Sequence, residues 1–155
     1  MKWLNVLADH VMDHPADAVW DFVSNVENMG RWVKDVKGPR WTSEGERGVG
    51  STFESGYEYG GKTHELKYEV TGFRPPTEFA TRTTGGCFPH QSTITVESVD
   101  GETKVTHDMM AGSDGVVTAF MFAVGGAFFK LMMRRRVLQE SETMSEEIGK
   151  DVLSV

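Results

Sequence analysis

From Gly48 onward, apolar and polar residues alternate with a period of two. Gly60-Gly61, Pro75-Pro76, Gly85-Gly86 and Asp100-Gly101 interrupt the alternation as turn centres. Centring antiparallel pairs on those turns places Tyr57 opposite His64 and Phe53 opposite Tyr68, then Tyr68 opposite Thr83 and Val70 opposite Thr81. The third turn sets Thr83 opposite Phe88 and Thr81 opposite His90. The last sets Ile94 opposite His107 and Val96 opposite Val105. Directly opposed residues share a face of a sheet. One face therefore collects Phe53, Tyr57, His64, Leu66, Tyr68, Val70, Phe79, Phe88, Ile94, Val96, Val105 and Met109. The other collects Glu54, Glu58, Glu65, Lys67, Glu69, Arg82, Gln91, Glu97, Lys104 and Asp108, with threonines between them. A one-residue slip at any turn would mix the two sets, so the pattern specifies an antiparallel meander buried on one face.

The flanking segments supply what covers that face. Lys2 to Met12 reads as a strand with apolar residues on both faces. His14-Pro15-Ala16-Asp17 is a helix start, and Ala16, Val19, Trp20 and Val23 form the stripe of a short helix. A second short helix covers Val26 to Val33. Gly38-Pro39 breaks the chain, and a strand is expected around Arg40 to Ser43. One long helix follows, from about Asp114 to Lys150, with Ser113 or Asp114 as N-cap. Val117, Met121, Val124, Phe128, Leu131 and Leu138 recur along it at roughly helical spacing, and its first half is apolar on nearly all sides. That length raises the question of a membrane span, with Arg134-Arg135-Arg136 as its flank. Lys130, the Gly125-Gly126 pair and the preceding strands, which lack a core without this helix, favour a helix gripped by a curved sheet. The expected architecture is α+β: a curved seven-stranded antiparallel sheet around a long C-terminal helix, with two short helices after the first strand. This is the order of the helix-grip fold, in a single domain over 1–155.

Charge and cysteine content narrow the partners. With 16 basic and 23 acidic residues the net charge is -7, which argues against nucleic acid and anionic membrane surfaces. The single Cys87 excludes an internal disulfide and suits a reducing compartment, and Met1 to Asp9 contains no apolar run long enough for a signal peptide. A cytoplasmic protein, monomeric or homodimeric, is the expectation. Nine methionines are available to adapt to apolar partners or to fill the core.

Tyr57 and His64 form the most suggestive pair for chemistry. As cross-strand partners their β-carbons lie ~5 Å apart, and a histidine beside a phenol can serve as base and acid for enolisation or dehydration. The same two groups can equally hydrogen-bond a ligand, the backbone or each other. His64, His90 and His107 all face inward, but His90 falls opposite Ala111, ~13 Å along the strands from His107. Ligands of zinc must each reach a common point within ~2.1 Å, so no metal site is expected. Tyr68, Thr81, Thr83 and Ser92 add neutral polar groups to this face. Aromatics, methionines and a few hydroxyls suit an apolar or amphipathic molecule with one or two oxygens. Arg82 and the three helix arginines receive no chemical role, nor does Cys87, which lacks an evident base.

Several motifs carry a family resemblance. They are Pro15-Ala16-Asp17-Ala18-Val19-Trp20-Asp21-Phe22-Val23, Val26-Glu27-Asn28-Met29-Gly30-Arg31-Trp32, Gly48-Val49-Gly50-Ser51-Thr52-Phe53, Tyr68-Glu69-Val70-Thr71-Gly72-Phe73-Arg74-Pro75-Pro76 and Arg134-Arg135-Arg136-Val137-Leu138. With them the chain resembles the START-like (SRPBCC) superfamily, in its polyketide cyclase/dehydrase branch. The resemblance implies a cavity between sheet and helix that takes a lipid, polyketide, quinone or aromatic molecule, with no cofactor. It places Trp32, Phe120, Met121 and Val124 near the cavity mouth, and the inward face adds Phe53, Tyr57, His64, Tyr68, Thr81, Thr83, His90 and His107 as ligand contacts. Three functions stay open: a binding or carrier protein; a cyclase, aromatase or dehydratase using Tyr57 and His64; and an interaction module that docks through an exposed apolar helix end. Fold alone does not choose among them.

Overall fold

The computed structural model describes residues 3–86, 89–112 and 116–153, with side chains described outside 116–124. The chain runs β1 (Trp3–Met12), α1 (Ala16–Val23), a 3-10 turn (Val26–Asn28), α2 (Met29–Trp32), β2 (Val36–Trp41), β3 (Thr52–Tyr59), β4 (Lys62–Arg74), β5 (Glu78–Gly85), β6 (His90–Val99), β7 (Glu102–Gly112) and α3 (Val116–Leu153). The strands form one antiparallel sheet in the order β1-β7-β6-β5-β4-β3-β2. This is the helix-grip arrangement, with β1 and β2 as its free edges. Among the described residues, no helix is long and apolar enough to cross a membrane.

Most of the expected register is present: Tyr57 pairs with His64, Phe53 with Tyr68, Tyr68 with Thr83, Val70 with Thr81, Ile94 with His107 and His90 with Ala111. Two places differ. Thr81 lies opposite Ser92, not His90, because the β5–β6 connection is wider than a tight hairpin. The two-residue shift leaves every side chain on its expected face, since strand side chains alternate with period two. The expected Thr83–Phe88 pair lies outside the described residues. In β4 an irregularity between Val70 and Gly72 brings Phe73 opposite Phe79. Both rings pack against Trp20, at 5.7 and 6.5 Å between centroids.

Strand β2 begins earlier than expected. Gly38 and Pro39 fall inside it, at a register shift between Lys37 and Arg40, and so bend an edge strand without ending it. Proline is tolerated there because an edge strand has backbone donors with no ladder partner.

Helix α3 corrects the expected burial more strongly. Among its described side chains the buried ones are Val137, Glu140, Ser141, Met144 and Ile148. Val137 packs on Val6 and Ala8 of β1, while Met144 and Ile148 join the main core with Met12, Val19, Trp20 and Phe53. Arg31 of α2 ties the same region down through Glu147 and Asp151, and His14 Nε2 lies 2.8 Å from the Ser145 carbonyl. Phe128, Leu131 and Met132, by contrast, are 64, 51 and 50 % exposed. Gly125 departs from helical geometry (φ -125°, ψ 25°), which kinks the helix there. The described contact of the helix with the sheet and the short helices runs from Met133 to Ile148. The expected N-cap at Ser113 or Asp114 lies outside the described residues.

Met144→Ala is expected to lower unfolding free energy by about 2–5 kcal/mol, whereas Phe128→Ser changes it by less than about 0.5 kcal/mol. Urea denaturation of the two variants measures the contrast.

Candidate functional site

Covering a curved sheet with the C-terminal half of one helix leaves a gap, which forms a cavity of about 310 Å³. The sheet supplies its floor through Leu66, Tyr68, Phe79, Thr81, Ser92, Ile94, His107 and Met109. Val23, Met29, Trp32 and Val33 from the short helices close one side, and Met133, Arg136 and Glu140 of α3 close another. The walls are mainly apolar and aromatic, as pre-formed small-molecule sites are.

Two polar groups interrupt them, three strands apart across the sheet. On the β3 side, Arg136 reaches Glu140 at 3.0 Å and Asp35 at 3.5 Å, and donates to the Lys34 carbonyl at 2.8 Å. Its guanidinium carbon lies 5.7 Å from the Tyr57 ring centroid. Burial pushes the Glu140 carboxyl up to about 7, against the opposing pull of Arg136. On the β6–β7 side, Ser92 Oγ lies 2.8 Å from His107 Nε2. Burial, followed by the nearby His90, pulls His107 down to about 4, so the ring is neutral at physiological pH. Its Nδ1 is buried and has no hydrogen-bond partner among the described residues. The Trp32 ring packs edge-on to the His107 ring at 6.0 Å.

Of the residues picked out from the sequence, Trp32, Tyr57, Tyr68, Thr81, His90 and His107 line the cavity. Phe53, His64 and Thr83 do not. Phe53 is buried behind it, stacked on Tyr68 at 4.5 Å, and so helps set the Tyr68 ring, whose hydroxyl lies 3.0 Å from Ser55 Oγ. Thr83 Oγ1 accepts from the His90 backbone N–H at 3.0 Å and anchors the start of β6. His64 is the cross-strand partner of Tyr57, yet its Nε2 lies 3.2 Å from the Tyr59 carbonyl at partial exposure. Tyr57 lines the cavity, and His64 is not among its lining residues. The side chains of Phe120, Met121 and Val124 lie outside the described residues. No group of three or more His, Cys, Asp or Glu among the described residues is placed to hold a metal ion.

Arg136 and Glu140 were missed. Arg136, given no chemical role from the sequence, lines the cavity four residues before Glu140 and eight before the buried Met144, on the inward flank of α3. That spacing was the available signal, since residues four apart share a helix face.

A seven-stranded sheet closed by a C-terminal helix over a ligand-sized cavity defines a helix-grip cavity protein. Residues 5–146 match the family described as "Polyketide cyclase / dehydrase and lipid transport", and the chain belongs to that family. Among curated proteins none matches it. Solved structures similar to it include TTHA0849 from Thermus thermophilus, 13% identical with a TM-score of 0.77 over 95% of this chain and 98% of that one. A START superfamily protein from Mycobacterium smegmatis is 14% identical, with a TM-score of 0.75 over 94% and 97% of the two chains. The Zhui aromatase/cyclase from Streptomyces sp. R1128 is also 14% identical, with a TM-score of 0.71 over 97% and 96%. At these identities the likeness concerns the fold.

The buried neutral histidine makes a prediction about pH. A group whose folded pKa is depressed stabilises the fold above its unfolded value of 6.5, and that contribution is lost as pH falls through about 4. The stability difference between wild type and His107→Gln should therefore shift by roughly 3 kcal/mol against the wild type between pH 7 and pH 3.5. Urea titrations of both proteins at the two pH values provide the check.

Proposed function

We propose that the chain binds a small, mainly apolar molecule carrying one or two oxygens, held between the sheet and the second half of α3. The observation that carries this reading is the cavity itself: about 310 Å³, walled by Val23, Met29, Trp32, Ile94, Met109 and Met133, with a minority of polar side chains among them. Lipid, polyketide, quinone and aromatic ligands all suit such a site. The description of the family, which includes lipid transport, supports the same reading.

Native mass spectrometry after exposure to a lipid and metabolite extract of the source cells should show a retained small molecule that is released on denaturation. Ala111→Trp, which fills one wall of the cavity, should abolish retention without unfolding the protein. A bare mass with every extract, or equal retention by the filled variant, would contradict the proposal.

One observation favours a second reading, acid/base catalysis on the bound molecule. Glu140 lies on the cavity wall with its carboxyl raised to about 7, where a general acid or base is most effective. Tyr57 and Arg136 flank it and could steady a developing oxyanion. On this reading Glu140→Gln keeps affinity within about threefold but lowers turnover of a substrate by about 100-fold or more. For a carrier, the same variant changes affinity alone.

A further inference from the structure

We infer that Thr81 and Ser92 form a paired hydroxyl site for a carbonyl oxygen of the molecule in the cavity, with His107 holding Ser92 in the donor role. The inference rests on the binding function proposed above and specifies what the ligand must carry.

Thr81 and Ser92 are direct partners across the β5–β6 ladder, and both line the cavity. Opposed residues on one face have β-carbons ~5 Å apart, close enough for two hydroxyls to converge on a single oxygen. Only one hydrogen can lie between Ser92 Oγ and His107 Nε2, so the histidine tautomer decides which group donates. Were the proton on Nδ1, a buried N–H would have no acceptor among the described residues, a rare and costly arrangement. The other tautomer puts the proton on Nε2, which then donates to Ser92 Oγ at 2.8 Å. The hydrogen of Ser92 is left to point elsewhere, and Ser92 Oγ has no other hydrogen bond to a described group. Thr81 Oγ1 has none at all to a described group.

The result is two neutral donors side by side on the floor, beside Ile94 and Met109. Arg136 is on the opposite wall and already engaged by Glu140, Asp35 and the Lys34 carbonyl. Thr81 and Ser92 carry no charge of their own, although His90, two residues from Ser92 along β6, lines the same cavity. A carbonyl oxygen has two lone pairs and no proton, and can accept from both hydroxyls. The chemical class is therefore an apolar ketone or quinone.

Two probes of nearly equal shape separate this from apolar filling: 2-acetylnaphthalene, and 2-isopropenylnaphthalene, which lacks the acceptor. Affinities are measured by titration calorimetry and by quenching of Trp32, compared with a Trp32→Phe variant. Wild type should bind the ketone about tenfold more tightly, the effect of one to two neutral hydrogen bonds. Thr81→Val/Ser92→Ala should bind both probes equally, and Ser92→Thr should keep the preference. The carbonyl stretch of the bound ketone should fall below its frequency in hexane with wild type and return towards it with the double variant. Equal affinities in wild type, or an undiminished preference in the double variant, would overturn the hydroxyl site while leaving the binding function in place. Failure of both probes to bind folded wild type would count against the binding function and this inference together.

Discussion

A sheet of seven strands that presents one apolar face needs more cover than a single helix can give. A helix buries a stripe, and among the described side chains of α3 that stripe runs from Val137 through Met144 to Ile148. The short helices add Val19, Trp20, Phe22, Val23, Val26 and Trp32, which seal the main core. What remains uncovered, between Ile94 and Met109 below and Met133 and Arg136 above, is the cavity. The site is thus a consequence of where the helix is anchored. The anchors lie at its far end: Met144 and Ile148 in the core, with Arg31 bridging to Glu147 and Asp151. Apolar burial fixes the helix axis there, while the turn carrying Met133 and Arg136 can line a cavity instead of filling it.

The polar groups on that cavity cost free energy, and each is compensated differently. Arg136 and Glu140 are an ion pair partly removed from water, where desolvation opposes Coulomb attraction. Asp35, the Lys34 carbonyl and the nearby Tyr57 supplement Glu140 around the guanidinium, which keeps the arginine charged and leaves the carboxyl as the weaker ion of the pair. His107 is compensated less completely. Ser92 engages one ring nitrogen, and Nδ1 has no partner among the described residues. Staying neutral is the cheaper solution for a ring buried beside Trp32. Polar groups placed at such cost are better understood through what they hold than through what they add to stability.

Much of this was legible in the chain. The period-two alternation specified the inward face, and that face is robust: the two-residue error at the β5–β6 turn moved Thr81 from His90 to Ser92 without turning either side chain over. The register itself was less legible, because Gly85-Gly86 marks a turn without stating how wide it is. The cavity lining was partly legible, through Trp32, Tyr57, Tyr68, Thr81, His90 and His107. Phe53 and Thr83 share the inward face but do not reach the cavity, since facing inward does not distinguish core from lining. The long helix misled most. The side chains of its most apolar stretch, 116–124, lie outside the described residues; beyond it Phe128, Leu131 and Met132 are exposed, and the buried stripe that is described lies in the segment richer in charge. Glu140 and Arg136 were obscured by the acidic run and the triple arginine around them, where composition suggests solvent and only helical phase reveals the inward pair.

The most direct measurement is of intermolecular nuclear Overhauser effects between protonated 2-acetylnaphthalene and a deuterated protein with protonated methyl groups on Ile, Met, Leu and Val. The predicted result is a set of contacts from the probe to the methyls of Val23, Ile94, Met109 and Met133, which surround the cavity on several elements. Contacts confined to Leu131 and Met132, on the exposed turn of α3, would place the molecule outside and contradict a ligand site between sheet and helix.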